Sequence, residues 1–314
     1  MNRQDMHPPF RRFLGLCLWA WGATAAAHSP LDPATGTTAA LHWSFEPLVI
    51  ASMLLSLGLY AVGFARLRQR TRLGRAHRLH HAAAFVAGWL ALGVAFVSPL
   101  DALGASLFSA HMVQHEILML VAAPLLVLGR PLGVWLWALP AAARMRIGRG
   151  VRAPSVRIAW RWLTLPASAW GLHLAALWGW HIPRAFEAAL AHPALHAVQH
   201  TSFLASALLF WWTVLAPAAR HGGRGFAMLS LFTTMAHTGA LGALLTLAPS
   251  PWYASYFESA FAFGFDPLED QQLGGLVMWV PGGLAYLAAA LTVAARWLAG
   301  RGSAGPRRDA LPNS

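Results

Sequence analysis

Residues 106–128 read SLFSAHMVQHEILMLVAAPLLVL, with Glu116 as the single formal charge. At 1.5 Å per residue, an α-helix of that length crosses a hydrocarbon core of about 30 Å. Moving outward in both directions, six more apolar segments appear at 47–65, 82–98, 162–180, 196–216, 226–247 and 274–297. A shorter apolar run, 132–139, is bracketed by Pro131 and Pro140 and reads as an interfacial turn or helix. Composition agrees, because 57% of the 314 residues are hydrophobic and only 11% are charged. A soluble domain needs about a quarter of its residues charged. The sequence thus predicts an all-α, polytopic integral membrane protein, a seven-transmembrane-helix bundle over 47–297.

Arginine sets the orientation. All 23 basic residues are arginine. They gather at 66–81, at 130–161, at Arg220 and Arg224, and from Arg296 to Arg308. The alternate loops, 28–46, 99–105, 181–195 and 248–273, hold only Arg184 against Asp32, Glu46, Asp101, Glu187, Glu258, Asp266, Glu269 and Asp270. By the positive-inside rule the arginine-rich loops are cytoplasmic. The N-terminus is then outside and the C-terminus cytoplasmic. The formal charge of +12 is therefore a topology signal, and no nucleic-acid partner is expected. Trp178, Trp180, Trp252 and Tyr253 are expected in an outer aromatic belt, and Trp135, Trp137, Trp160 and Trp162 in an inner one. Residues 1–27, with Arg11 and Arg12 before a short apolar run ending Ala25-Ala26-Ala27, read as a signal peptide or N-terminal anchor. Residues 28–46 follow as a short external segment, and 298–314 close the chain as a basic cytoplasmic tail.

The candidate chemistry lies in histidine. Cys17 is the only cysteine, which excludes disulfides, zinc ribbons and CxxC chemistry. His111 and His115 stand at i, i+4 on one helix face, as do His196 and His200. His115, His173 and His237 count to roughly 13, 12 and 15 Å below the outer boundary. His111, His181, His196 and His200 lie near the outer surface. Seven histidines from four spans thus share one half of the bilayer and form a candidate metal site. Intramembrane ionisable groups are costly and mark pathways or sites. The plainer reading of any one of them is an interhelical hydrogen bond. Met112, Met119, Met235 and Met278 read equally as core filler. Imidazole with nearby thioether, and no cysteine, points to copper. Haem b between paired histidines is the rival, and spacing leaves both open. Asp266, Glu269 and Asp270 are candidates to guard the access to such a site. No nucleophile–base pair or nucleotide motif is apparent, so no enzyme activity is expected.

The run His111-Met-Val-Gln-His115 through Leu128-Gly-Arg-Pro131 closely resembles the signature of the CtaG family, assembly factors for caa3-type cytochrome c oxidase. Trp178-Gly-Trp-His-Ile-Pro183, His196-Ala-Val-Gln-His200, Met235-Ala-His-Thr-Gly239 and Asp270-Gln-Gln-Leu-Gly-Gly275 extend the resemblance over about 40–297. It implies a seven-span factor in the bacterial cytoplasmic (inner) membrane that helps build haem–copper oxidase. The implied partners are cytochrome c oxidase subunits and the lipid bilayer; copper handling is inferred from the histidine set, with a copper ion or periplasmic copper donor as the expected further partner. Copper would enter at His111, His181, His196 and His200 and pass to His115, His173 and His237.

Overall fold

The computed structural model describes residues 42–70, 75–215 and 224–302. The expected signal or anchor segment 1–27, most of the external segment, Arg72, Arg220, His221 and tail residues 303–314 lie outside the described residues. Among the described residues every regular element is helical.

All seven apolar segments fold as helix. The first two are α1 (Pro47–Arg70) and α2 (Arg75–Phe96). The third is composite: α4 (Phe108–Glu116), a π-helical turn (Ile117–Ala122) and α5 (Ala123–Gly129) run on continuously. The other four are α9 (Pro166–His181), α11 (Pro193–Leu215), α12 (Arg224–Thr246) and α14 (Pro267–Gly302). Five are long and apolar enough to cross a membrane: α1, α2, Phe108–Gly129, α12 and α14. Of the two others, α9 has 16 residues and spans about 24 Å. Helix α11 has ample length at 23 residues, but His196, Gln199 and His200 dilute its hydropathy.

The intervening segments are more ordered than loops. Residues 99–105 belong to α3 (Pro99–Ser106), started by the Ser98 side chain, which accepts from the Leu100 N–H at 3.2 Å. The segment 181–195 holds α10 (Pro183–Ala191), and a 3-10 turn (Ala254–Tyr256) and α13 (Phe257–Ala262) fill much of 248–273. The proline-bracketed run is α6 (Pro131–Ala138), as its flanks suggest. Two helices of the arginine-rich stretch, α7 (Ala141–Val151) and α8 (Pro154–Leu163), bury no residue. Prolines recur at the first helical position, where the missing N–H costs nothing.

The π-helical turn has a local cause. Pro124 has no N–H to return to Leu120, and its ring would crowd that carbonyl in a regular helix. The wider turn just before it relieves the clash. The Trp211 indole N–H then donates to the Met119 carbonyl at 2.8 Å, tying the turn to α11. Helices α12 and α14 pack most intimately, crossing at Gly242 and Gly275. A Cβ at Gly242 would come within 2.7 Å of the Gly275 carbonyl oxygen, and one at Gly275 within 2.6 Å of the Gly242 oxygen. Small residues there let two backbones touch.

Two apolar clusters flank the histidines. One gathers Phe203, Phe210, Trp211, Leu231, Tyr286 and Met119. The other gathers Phe108, Met112, Phe186, Leu245, Tyr253 and Met278. Three of the four singled-out methionines are thus buried packing residues. Tyr253 is buried rather than part of an aromatic belt, whereas Trp160 and Trp162 are exposed.

Candidate metal centre

Helix α4 carries the centre, and its start is fixed by a distant carboxylate. Leu107 caps α4 with no side-chain hydrogen bond. Asp270, from the first turn of α14, supplies what is missing. Its carboxylate accepts from the Phe108 N–H at 2.6 Å, the Ser109 N–H at 3.1 Å and the Ser109 hydroxyl at 2.5 Å. A negative charge also suits two helix N-termini at once. Asp270 is therefore fully buried and committed to the fold, which corrects its reading as a guard of the access path. Farther along α4, the Gln114 amide donates to the Ala95 carbonyl at 2.7 Å and the Asp101 carboxylate at 2.9 Å. These two contacts set the rotation of α4, and with it the direction of His111 and His115.

Helix α11 presents its own pair to the same place. The ring centroids of His111 and His115 are 4.3 Å apart, and those of His196 and His200 are 4.2 Å apart. Between helices, His111 lies 5.4 Å from His196 and 5.5 Å from His200, and His115 lies 5.1 Å from His200. One ligand nitrogen from each of His111, His115 and His200 falls within 4.8 Å of the others, and all three residues are buried. Nitrogens sharing one ion at about 2.0 Å stand roughly 3.3–3.6 Å apart, so closure by about an ångström would complete a three-imidazole set. Fully buried Gln199 sits in the same turn of α11. His181 joins from the end of α9, in contact with Phe186 and Phe203, the rings that also touch His111 and His115.

Hydrogen bonds leave ring nitrogens of this group free to act as ligands. His111 Nδ1–H faces the Gly104 carbonyl at 3.2 Å, and His181 Nδ1–H faces the Leu177 carbonyl at 2.6 Å. A ring that donates from Nδ1 keeps its Nε2 lone pair for a metal. The Nε2 atoms of His111, His181 and His200 and both nitrogens of His115 are buried without a hydrogen-bond partner. Buried orphan nitrogens are costly unless something else satisfies them. Two tyrosines brace the carbonyl side. Tyr256 donates to Gly104 at 3.0 Å and Tyr253 to His181 at 2.9 Å. Burial pushes both phenols up, with neighbouring Asp270 adding to the effect at Tyr256, so both remain protonated donors.

The structure does not bring all seven predicted histidines together. His115 joins the group that depth counting put nearer the surface. His173 lies elsewhere, with Nδ1 at 3.1 Å from the Ser206 hydroxyl and Nε2 at 3.3 Å from the Tyr286 hydroxyl. With both nitrogens engaged across three helices, His173 fits the interhelical-bond reading. His237 stands beside Trp170, with ring centroids 6.0 Å apart. Glu116, one residue beyond His115, is turned towards Gly282 of α14 and away from the imidazoles. Sequence reading missed Gln114, Tyr253, Tyr256 and Asp270 as positioning residues. Only Gln114, between His111 and His115, lies inside a histidine motif; Asp270 opens another run of the resemblance, and Tyr253 and Tyr256 stand apart from every histidine in sequence.

Residues 58–300 match the cytochrome c oxidase caa3 assembly factor family, Caa3_CtaG. The chain belongs to this family. The match takes in every histidine of the centre. Three mycobacterial proteins are similar over most of the chain. Uncharacterized protein Mb0105 of Mycobacterium bovis and uncharacterized protein MT0111 of Mycobacterium tuberculosis are each 28% identical over 281 residues, 85% of this chain and 41% of the relative. Uncharacterized protein ML1998 of Mycobacterium leprae is 25% identical over 267 residues, 81% of this chain and 39% of the relative. The chain thus spans about two fifths of the length of the curated relatives it matches. No solved structure matches the chain.

Proposed function

We propose that this family member is a non-enzymatic copper-handling assembly factor of the bacterial cytoplasmic membrane. It holds copper as cargo at His111, His115 and His200 and passes it to a nascent subunit of a haem–copper cytochrome c oxidase. The observation that carries this reading is the buried convergence of three imidazoles whose nitrogens lie within 4.8 Å. His181 and His196 flank the trio as the route inward from the outer side, where a periplasmic donor would load it. The donor set is neutral nitrogen, with no thiolate and no carboxylate, which suits copper among the metals that accept imidazole. The family's role in assembling an oxidase with a copper centre selects copper over zinc, iron or nickel. In this reading α1, α2, α4–α5, α9, α11, α12 and α14 are seven spans, with the arginine-rich ends cytoplasmic.

Haem b is the competing cargo. The imidazole rings touch one another at 4.2–5.5 Å, which leaves no gap for a flat macrocycle between them. Metal analysis with an absorption spectrum of the detergent-purified protein separates the cases. Copper without a Soret band, lost in His111→Ala/His115→Ala, is the expected result. A Soret band would replace the proposal with electron transfer, and no cofactor after copper loading would replace it with a scaffold.

A further inference from the structure

A second built feature lies at the arginine-rich end, away from the histidine centre. A cavity of about 250 Å³ opens there, with Arg78, His81 and Arg130 on its polar side and Phe64, Leu67 and Trp137 among its apolar walls. Its floor is the turn Leu128–Pro131, which is held from several sides. The Tyr60 hydroxyl donates to the Gly129 carbonyl at 3.1 Å, and His81 Nδ1–H donates to the Leu128 carbonyl at 2.5 Å. Gly129 is pressed on Phe85, where a Cβ would meet the side chain at 2.7 Å and the backbone at 2.8 Å. Between Gly129 and Pro131, Arg130 adopts φ 49° and ψ 49°, the only positive φ of a non-glycine among the described residues. Such a conformation is costly and persists only where its surroundings impose it. A glycine would sit there without strain.

The cost places a guanidinium at the mouth of an apolar cavity. The lining elements hold no carboxylate to answer it: the sequence has no Asp or Glu between Glu46 and Asp101, nor between Glu116 and Glu187. Nearby arginines are used structurally. Arg66 donates to the Ala138 carbonyl at 2.7 Å, and Arg144 lies over the Trp137 ring at 4.3 Å. Helix α8, in the same arginine-rich part of the sequence, carries Arg157 and Arg161 beside exposed Val156, Ile158, Trp160 and Trp162. A helix with a basic face and an apolar, tryptophan-bearing face lies in the headgroup region.

We propose that this cavity binds an anionic phospholipid, with its phosphate between Arg78 and Arg130 and an acyl chain against Phe64, Leu67 and Trp137. A cationic mouth over an apolar wall at headgroup depth complements such a two-part ligand. The test uses the full chain in detergent, with binding of phosphatidylglycerol and phosphatidylcholine followed by native mass spectrometry. The wild type prefers phosphatidylglycerol by at least about tenfold, because the trimethylammonium of phosphatidylcholine meets the two guanidiniums with like charge. Arg130→Gly removes the guanidinium while relieving the strained φ, so it loses that preference without a lower melting temperature. Arg78→Gln also loses the preference, and serves if the glycine variant fails to fold. Equal binding of the two lipids by the wild type overturns the proposal, as does retention of the preference in either folded variant. Inorganic phosphate that competes as well as the lipid would also overturn it, because the apolar wall would then contribute nothing.

Discussion

At the residue scale, two histidines that look alike in sequence have opposite surroundings. His115 has both nitrogens buried without a partner, whereas His173 bridges Ser206 and Tyr286. His115→Leu fills similar space and removes an unsatisfied polar group. Metal-free stability should hold while copper affinity falls at least about tenfold, since even outer-shell partners are worth 10–100-fold. His173→Ala should do the reverse, keeping copper and losing about 1–3 kcal/mol of stability as the buried Tyr286 hydroxyl loses its partner. Chelator competition and thermal melting read the two effects, and copper loss in His173→Ala with His115→Leu unaffected would invert the assignment. Asp270 makes a third case. Asn at 270 keeps one acceptor oxygen but turns an amide N–H₂ towards groups that are themselves donors. Asp270→Asn should therefore cost about 3 kcal/mol or more, because hydrogen bonds to charged groups are worth about 1.5–3 kcal/mol each. An unchanged melting temperature would show that the carboxylate does not hold α4. The i, i+4 pairs at 111/115 and 196/200 were legible in the sequence because helical periodicity alone puts them on one face. Asp270 was not, because an acid near the start of a span reads as solvated until the fold places another helix start against it.

At the element scale, the apolar runs located the helices well, and the errors have physical causes. Helix α14 begins at Pro267 rather than at 274 because Asp270 of its polar first turn is buried against the start of α4 instead of facing water. Segment 248–273 reads as loop in the sequence, yet it folds over the centre and supplies Tyr253 and Tyr256. The rotation of each span was hidden for a different reason. Apolar residues line every face of these helices, so the sequence carries little amphipathic signal of what faces lipid. That is why seven histidines were candidates and three converge. Contact between α12 and α14 depends on the Gly242–Gly275 crossing. Gly275→Val puts a branched side chain where even one carbon lies 2.6 Å from the Gly242 carbonyl. The helices must part, and loss of protein recovered from membranes, or a lower melting temperature, is the expected result. A variant as stable as wild type would mean the crossing tolerates separation. Because Asp270 leaves from the same helix, the variant should also weaken copper binding, whereas a purely local effect would spare it.

At the scale of the whole molecule, function depends on which side of the membrane the histidine end faces. Along the sequence arginine-rich loops alternate with acidic ones, and His111 and His200 stand nearer the acidic loops 99–105 and 181–195 than the arginine-rich ones. If positive charge stays inside, the centre faces the compartment from which an external copper donor must approach. A cluster facing the cytoplasm would need another supply and another destination. Single-cysteine labelling decides between them, with Cys17→Ser as background because it is the only cysteine. Asp266→Cys reports on the histidine end and Arg149→Cys on the arginine end, and both positions are exposed. An impermeant maleimide added to intact cells should label residue 266 and spare 149 until the membrane is opened. The number of spans is tested together with the orientation. An odd number of crossings between α1 and the end of the chain puts Phe45→Cys, exposed ahead of α1, on the same side as 266 and opposite to the end of α14. Labelling of 45 and 266 from opposite sides would break the seven-span arrangement even if the histidine centre binds copper. Labelling of 149 alone from outside would reverse the molecule, and copper delivery to the outer side would have to be abandoned.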